Sequence, residues 1–500
     1  MIKVPDNSAA KYRRVSLLFA VSALICLPFA NLNINTLDPW TELGQIGYGF
    51  LTPDFSNPAL LLEALGKTLA FAFQGVMLGV IFGLLLALFY QKTIVRQFSA
   101  FIRAIHEIFW ALIFIQITGL SSATGVLAIA IPYTGIFAKI FGELLSEVDH
   151  KPLNAIVKNT KTLNSTLFIR LPLAWKHIKT YTCYRLECGI RSSAILGFIG
   201  LPTLGFHMET FYKQGMYDQG AAILYVFFLL IGTSRFWLKS KLIPLYVLAS
   251  FWLLPWSSYG DWSLLMRFIT EDIVPAPLKQ PDLTLTEKLH ALGSWGAHRW
   301  HNEIMPGILN TVVLSQISLI FTGVISLILF PWISHHFLNK LGRASGNTVL
   351  VVARSTPEYL LAFIGLLIFG PSMLPGILAL ALHNGAIVAH LIGLYSQSIK
   401  LRDDASSGLN RYFFEILPRI YRQFLAFLLY RWEVIMRETA ILGILGIPTL
   451  GFYIDSAFEE IRFDRAILLI LVAALLNILV DQIATWSRTR LHIQHRPESL

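Results

Sequence analysis

The sequence predicts an all-α polytopic membrane protein with about twelve transmembrane helices, arranged as two parallel six-helix repeats. The composition, the long apolar segments and an internal duplication together lead to this fold class. Of the 500 residues, 55% are hydrophobic and 14% are charged, and the mean hydropathy is +0.60. Such a chain has too little polar surface to cover a water-soluble globule. Its apolar segments are long enough to cross the roughly 30 Å hydrocarbon core of a bilayer as helices.

The predicted spans are apolar segments bounded by polar clusters. The first follows a basic N-terminal stretch and could be a retained helix or a cleaved signal peptide. We favour a retained helix, because cleavage after Ala30 would place Pro28 where a signal peptidase needs a small residue. The spans are predicted near 15–31, 63–90, 103–120, 123–146, 180–205, 219–238, 242–258, 304–333, 347–370, 373–399, 424–451 and 463–486.

The distribution of basic residues predicts the orientation of these spans. With a cytoplasmic N-terminus, the predicted cytoplasmic segments hold 26 Lys and Arg residues and the predicted outer segments hold 6. This asymmetry follows the positive-inside rule and places both termini in the cytoplasm. The net charge of +10 is therefore explained by topology, and nucleic acid is not an expected partner.

The duplication is clearest in one thirteen-residue stretch. Residues 440–452 read AILGILGIPTLGF, and ten of the thirteen letters recur in AILGFIGLPTLGF at 194–206. We predict a first repeat over 1–240, with a core at 63–238, and a second over 241–500, with a core at 304–486 and an outer loop at 259–302. Because each half crosses the membrane an even number of times, the repeats are parallel and are expected to enclose one pathway.

Small residues and prolines in the duplicated stretch predict a bend near the outer face. Glycine allows neighbouring helices to approach closely, and proline interrupts the helical hydrogen bonds. We expect Thr203 and Thr449 to line the pathway at this bend. The expected gate or bend residues are Gly200, Pro202, Gly205, Gly446, Pro448 and Gly451.

Charged residues within or beside the spans require an explanation, because a charge at the bilayer centre costs at least about 2.5–3.5 kcal/mol. Two glutamates lie four residues before an arginine on one helix face, which predicts structural ion pairs within the spans. Two further pairs lie at the cytoplasmic mouth, where long side chains reach the interface at little cost, and these are also predicted to be structural. The alternative is that Arg191 and Arg437 present positive charge to a transported anion. The predicted pairs are Glu187–Arg191, Glu433–Arg437, Arg103–Glu107 and Arg354–Glu358.

No arrangement typical of an enzyme or of a metal site is found in the sequence. Gly66-Lys67-Thr68 resembles the end of a phosphate-binding loop, but Leu61 occupies the position of its first glycine. The adjacent His335 and His336 point to different faces of a helix, so we expect no metal site and no cofactor on this chain. Catalysis is not expected either.

Three motifs, present in both halves, resemble a known family. They are R-x-x-x-E, then Y-R-[LW]-E-x-x-x-R, then L-G-x-x-G-x-x-x-x-G-F, and a polar segment ending in Leu-Pro precedes the second. This pattern is similar to the permease subunits of bacterial ATP-binding-cassette importers, and more narrowly to the phosphonate-type permeases. The resemblance assigns contact with the ATPase to Ala155, Asn159, Ile169, Leu171, Pro172, Leu417 and Pro418.

The resemblance implies a function and partners. It implies import of a phosphonate, for example 2-aminoethylphosphonate, or a related small phosphorus oxyanion. A dimer of separate ATPase subunits, carrying ATP and Mg, would dock on 147–172 and 400–418, and a periplasmic binding protein would deliver the solute. The alternatives are an importer permease for another small solute, a secondary transporter with six-plus-six helices, or a membrane scaffold or receptor. For the polar segments, the alternative is an ordinary solvated loop.

Overall fold

The computed structural model describes residues 7–36, 38–148, 162–260, 262–402, 404 and 406–491, and the described part is helical without strands. The helices up to the middle of the chain are α1 Asn7–Cys26, α2 Pro39–Leu51, α3 Pro58–Ala87, α4 Thr93–Ala104, α5 Glu107–Thr118, α6 Ser122–Ser146, α7 Thr162–Ser165, α8 Leu171–Ile195, α9 Leu204–Lys213, α10 Tyr217–Gly232, α11 Ser234–Trp237 and α12 Ile243–Leu253. The remaining helices are α13 Trp262–Arg267, α14 Leu285–Arg299, α15 Met305–Leu329, α16 Lys340–Ser355, α17 Glu358–Phe369, α18 Met373–Ser396, α19 Gly408–Asn410, α20 Leu417–Ile444, α21 Leu450–Glu459 and α22 Phe463–Arg490.

The predicted all-α polytopic class is confirmed. Among the described residues, six helical segments are long and apolar enough to cross a membrane, and the number rises to nine if each of three bent helix pairs is one span. Each of the twelve predicted spans coincides with helical structure. Two of them, α10 and α12, are apolar but shorter than 18 residues. The number twelve itself stays a prediction.

The chain divides into two compact units. The first, which we call the N-repeat unit, contains residues 44–282 and 462–475. The second, the C-repeat unit, contains the described residues of 1–43, 283–461 and 476–500. The boundary of the sequence duplication near residue 240 stays a prediction.

In the N-repeat unit, α3 packs tightly against α6 along a row of glycines. A Cβ atom on Gly75, Gly79 or Gly83 would lie within 3 Å of Ile129, Tyr133 or Phe137. Glycine at every fourth position leaves a smooth strip on one helix face, so the backbones approach and dispersion contacts replace the missing hydrophobic driving force in lipid. Phe71, Phe137, Phe141 and Leu186 are fully buried around this contact.

The C-repeat unit repeats this packing with the glycines on the partner helix. Here α18 supplies Gly385 against Ile325 of α15, and Gly393 against Ile333 just beyond α15. The buried residues of α18 surround this contact and include Ile377, Leu380, Val388 and Ile392. Both repeats therefore have a glycine-mediated helix pair at the centre of the core.

Each unit includes helical structure from the far side of the predicted repeat boundary. In the N-repeat unit, Gln74 of α3 donates to the carbonyl oxygens of Ser250, at 3.0 Å, and Leu254, at 2.9 Å, which anchors α12. In the C-repeat unit, Gln316 of α15 donates to the Ser22 hydroxyl at 2.7 Å, which anchors α1. Phe19 of α1 also packs edge-on against Trp432, with ring centroids 5.0 Å apart.

The spans predicted near 103–120 and 347–370 each contain a sharp break between two helices. The helices α4 and α5 meet at 87°, and α16 and α17 meet at 86°. Ile105 and His106 have extended backbone angles, as do Thr356 and Pro357. In the second repeat, Pro357 is the cause, because the residue before a proline avoids the helical region.

Candidate functional site

The duplicated stretch forms the same backbone structure twice. After α8 and α20, a glycine with positive φ ends the helix, with φ of 90° at Gly200 and 88° at Gly446. The Gly200 amide donates to the Gly197 carbonyl at 2.9 Å, and the Leu201 amide donates to the Leu196 carbonyl at 3.2 Å. The second repeat has the same two bonds, at 2.9 and 3.1 Å. This is a Schellman cap, which favours glycine because the left-handed conformation is strained for other residues.

The short helices that follow, α9 and α21, pack directly against the helices before the turn. A Cβ atom on Gly205 would lie 2.0 Å from the Ala194 carbonyl oxygen, and one on Gly451 would lie 2.0 Å from that of Ala440. Pro202 and Pro448 lie in the turns between these helices. The predicted bend residues therefore lie at a break between two helices in both repeats, with a bend of 50° in the first, and their role as a gate stays a prediction.

The threonines of this stretch are buried in their own units. Thr203 and Thr449 have no exposed surface. Their hydroxyls donate to backbone carbonyls, at 3.4 Å for Ala194 and 3.2 Å for Thr439. These bonds fix the turn, and a role for either threonine in lining the pathway stays a prediction.

Two further threonines, which the sequence analysis did not select, cap the short helices. The Thr68 hydroxyl accepts from the Leu204 amide at 2.9 Å, and the Thr311 hydroxyl accepts from the Leu450 amide at 3.0 Å. Thr68 is the last residue of the sequence that resembles a phosphate-binding loop. Thr68 is buried in α3, where its hydroxyl caps the start of α9, so the residue has a structural role.

The predicted ion-pair residues have additional polar contacts. The Ser234 hydroxyl donates to the Glu187 carboxylate at 3.0 Å, and Arg191 approaches the Cys188 sulfur at 3.5 Å. Glu433 is buried, whereas Arg191 and Arg437 are half-buried. These pairs and any contact of the arginines with substrate stay predictions.

The helix breaks change the geometry of the other two predicted pairs. Arg103 is the penultimate residue of α4 and Glu107 begins α5, and Arg354 and Glu358 are divided in the same way. A helix break therefore separates the members of both pairs, and the ion pairs themselves stay predictions. In the N-repeat unit, the Ser192 hydroxyl donates to Glu107 at 2.7 Å, and the Tyr133 hydroxyl lies 3.3 Å from that of Ser192.

The equivalent place in the C-repeat unit holds a cluster of titratable groups that the sequence analysis missed. Glu358 of α17, His383 of α18 and Glu438 of α20 bring one nitrogen and two carboxylate oxygens to within 4.8 Å of one another. Glu438 stands where the first repeat has Ser192, when Tyr430 is aligned with Tyr184. The difference between Ser192 and Glu438, a hydroxyl in one repeat and a carboxylate in the other, is the feature of the sequence that could have indicated this cluster.

The segments predicted to contact an ATPase continue directly into the following helices. A π-helical turn, Thr166–Arg170, contains the half-buried Ile169 and leads into Leu171 and Pro172, and the turn Arg411–Ile416 leads into Leu417 and Pro418. The Leu171 amide bonds to Thr166, and the Leu417 amide bonds to Tyr412, five residues back. Such a turn lets the helix continue through the proline, which lacks a donor. Ala155 and Asn159 lie outside the described residues.

Exposed phenylalanines mark the same point in both segments. Phe168 and Phe414 each lie four residues before the proline, and their side chains are 76% and 79% exposed. By contrast, Tyr412 is anchored inward, since its hydroxyl donates to the Leu327 carbonyl at 2.9 Å and its ring stacks on Phe330. A movement of segment 400–418 would therefore be transmitted to α15 as well as to α20.

Comparisons with known proteins find relatives along nearly the whole chain, although no family model matches it. The chain is 23% identical to the phosphate-import permease protein PhnE of Mycolicibacterium smegmatis over 478 residues, which cover 88% of this chain and 87% of the relative. It is 25% identical to the phosphite transport system permease protein PtxC of Stutzerimonas stutzeri over 224 residues, 43% of this chain and 82% of the relative. Most of PtxC therefore corresponds to about half of this chain.

Two further comparisons are more limited. A putative cryptic phosphonate transport system permease protein, PhnE2 of Escherichia coli, is 22% identical over 111 residues, 22% of this chain and 91% of the relative. A crystal structure of an amino acid ABC transporter with histidines matches 39% of this chain and 97% of that chain, at 18% identity and a TM-score of 0.34, too low to carry an argument. The sequence comparisons therefore confirm the predicted resemblance, because the relatives of this chain are permease proteins of phosphate, phosphite and phosphonate transport systems.

Proposed function

We propose that the chain is the membrane subunit of an importer for a small phosphorus oxyanion, such as the phosphonate 2-aminoethylphosphonate. The similarity to a phosphate-import permease over 88% of the chain carries the proposal. The partial relatives are named for phosphite and phosphonate transport. Phosphate, phosphite and phosphonate share a tetrahedral phosphorus bearing anionic oxygens. Import of another small solute is the remaining alternative, and these relatives do not favour a secondary transporter.

The proposed partners are a dimer of ATPase subunits and a periplasmic binding protein, and the proposed location is the bacterial inner membrane with both termini cytoplasmic. ATP and Mg would be held by the ATPase, with no catalytic role for this chain. Segments 147–172 and 400–418 would contact the ATPase through Phe168 and Phe414. An exposed phenylalanine at the same position of two polar segments is what a docking surface requires, because buried aromatic anchors supply much of the energy of protein interfaces.

Docking can be tested by co-purification of the ATPase with the full chain. We expect the double variant Phe168→Ala and Phe414→Ala to retain at most a tenth of the ATPase bound by the wild type. The matched control is Trp262→Ala, because Trp262 is 72% exposed in the predicted outer loop. Equal ATPase recovery in the double variant and the control would contradict docking at these phenylalanines.

The transport activity is tested by uptake into proteoliposomes that contain the chain, its ATPase and its binding protein. Uptake of 2-aminoethylphosphonate, phosphite and phosphate is measured with ATP, and again with ATP hydrolysis blocked by vanadate. We expect ATP-dependent uptake of at least one of these anions. Uptake that continues on an ion gradient alone would contradict the importer, and uptake of none of them would contradict the substrate class.

We also propose that Arg191 and Arg437 meet the anion during transport. Because an arginine forms paired hydrogen bonds to phosphorus oxyanions and lysine does not, Arg191→Lys and Arg437→Lys should raise the half-saturating concentration of substrate. The amount of protein in the membrane should change little. A parallel loss of protein and uptake would instead indicate that these arginines serve as structural ion-pair partners.

A further inference from the structure

The cluster of Glu358, His383 and Glu438 is built in a way that orients one ring nitrogen of the histidine. The His383 Nδ1 atom lies 2.8 Å from the Thr356 carbonyl oxygen. A carbonyl oxygen can only accept a hydrogen bond, so Nδ1 carries the hydrogen. In the neutral form, which a metal ligand requires, the ring directs the Nε2 lone pair at the glutamates. A histidine that ligates a metal has this arrangement, with its other ring nitrogen donating to a carbonyl or carboxylate.

The separation of Nε2 from the first glutamate fits a shared cation better than a direct hydrogen bond. His383 Nε2 lies 3.7 Å from Glu358 Oε2, which is beyond hydrogen-bond distance. Two ligands that bind zinc at about 2.0–2.2 Å in a tetrahedral site lie roughly 3.4 Å apart. The observed distance is close to that value. Both side chains are almost fully buried, with exposures of 3% and 11%.

The second glutamate is also held by a polar neighbour. Asn384 donates to Glu438 Oε2 at 2.9 Å and to the Leu380 carbonyl at 3.0 Å, and Arg431 donates to the Asn384 oxygen at 3.3 Å. This chain of bonds fixes one oxygen of Glu438. Glu438 is half-buried, which offers an ion a route to the buried pair.

The first repeat shows what this place looks like with a single carboxylate. There Glu107 accepts a hydrogen bond from Ser192, and Pro132 stands where the second repeat has His383, when Gly125 is aligned with Gly376. Replacing the serine with Glu438 places two carboxylates together, and with a neutral imidazole the three groups carry a formal charge of −2.

We propose that Glu358, His383 and Glu438 bind a divalent transition-metal ion such as zinc. Carboxylate oxygen and imidazole nitrogen are ligands that such ions accept. The ion would connect α17, α18 and α20, and α20 follows directly on the segment proposed to contact the ATPase. Its binding stabilises the conformation in which these three helices meet.

The test uses the full chain in detergent without an affinity tag, stripped with a chelator and reloaded with Zn²⁺. We expect about one zinc per chain by mass spectrometry, and less than a tenth of that in His383→Gln. Glu438→Ser, which installs the residue of the first repeat, should weaken zinc binding at least tenfold. His335→Ala, which removes a histidine outside the cluster, should keep one zinc.

X-ray absorption on the zinc-loaded wild-type chain does not depend on the folding of any variant. We expect the zinc to be coordinated by nitrogen and oxygen atoms, with at least one imidazole and no sulfur. A wild-type chain that retains no zinc, a shell that contains sulfur, or equal zinc content in His383→Gln and the wild type would each overturn the proposal. Uptake is not measured in this test, so its outcome is independent of the transported substrate.

Discussion

Two glycines of the duplicated stretch, only five residues apart, are expected to differ in what an alanine costs. At Gly446 an added Cβ atom meets nothing within 4 Å, but φ is 88°. Gly446→Ala therefore carries only the cost of the left-handed conformation, about 1–2 kcal/mol. At Gly451 the Cβ atom would lie 2.0 Å from the Ala440 carbonyl oxygen.

The close contact at Gly451 determines the larger cost. Since real Cβ atoms essentially never approach other heavy atoms within 3.0 Å, α21 must move at least about 1 Å away from α20. The contacted atom belongs to the backbone and cannot rotate away. We expect Gly451→Ala to destabilise the chain by about 3 kcal/mol or more, the upper end of costs for overpacking.

Equilibrium unfolding by SDS in mixed micelles, followed by tryptophan fluorescence, measures both free energies. Gly200→Ala and Gly205→Ala provide an internal replicate, because the first repeat has the same geometry, with φ of 90° and a Cβ-to-oxygen distance of 2.0 Å. The reasoning is refuted if alanine at Gly446 costs as much as alanine at Gly451.

Three other predictions concern single groups. Thr311→Val keeps the side-chain shape but leaves the Leu450 amide without its acceptor, which lies at 3.0 Å. We therefore expect the free energy of unfolding to fall by about 1–2 kcal/mol, and Thr68→Val to have the same effect on the Leu204 amide. An unchanged SDS midpoint would contradict this. Tyr412→Phe keeps the stacking on Phe330 but removes the hydrogen bond to Leu327, and should cost about 1 kcal/mol, measured in the same way. In the predicted outer segment 452–462, burial, and then Glu459, raises the pKa of Asp455 to about 6. Because an unfolded aspartate has a lower pKa, the protonated form stabilises the fold, and this contribution is fully present below about pH 4 and lost as the pH rises through 6. Asp455→Asn should therefore unfold at higher SDS than the wild type at pH 7.5 and show no advantage near pH 4, and an equal advantage at both values would contradict this origin.

The sequence was sufficient for features that depend on local composition. The apolar segments predict the helices because a bilayer accepts only chains whose backbone groups are bonded internally. The duplicated Gly-x-Pro-Thr-x-Gly predicts two matching bends, since proline and glycine act on their own turn of the chain. The family motifs likewise lie within short stretches, so one sequence was enough to identify them.

The tertiary structure alone decided how distant stretches meet. By sequence position, α1 belongs to the first half of the chain and α12 to the second. In the structure, a hydrogen bond from Gln316 anchors α1 in the C-repeat unit, and one from Gln74 anchors α12 in the N-repeat unit. The two partners of each bond lie far apart along the chain, so the sequence does not reveal them. The right-angle break at His106 has no proline to predict it. The cluster of Glu358, His383 and Glu438 brings together residues of three helices. The spacing of residues along the chain does not determine which buried side chains of different helices face one another.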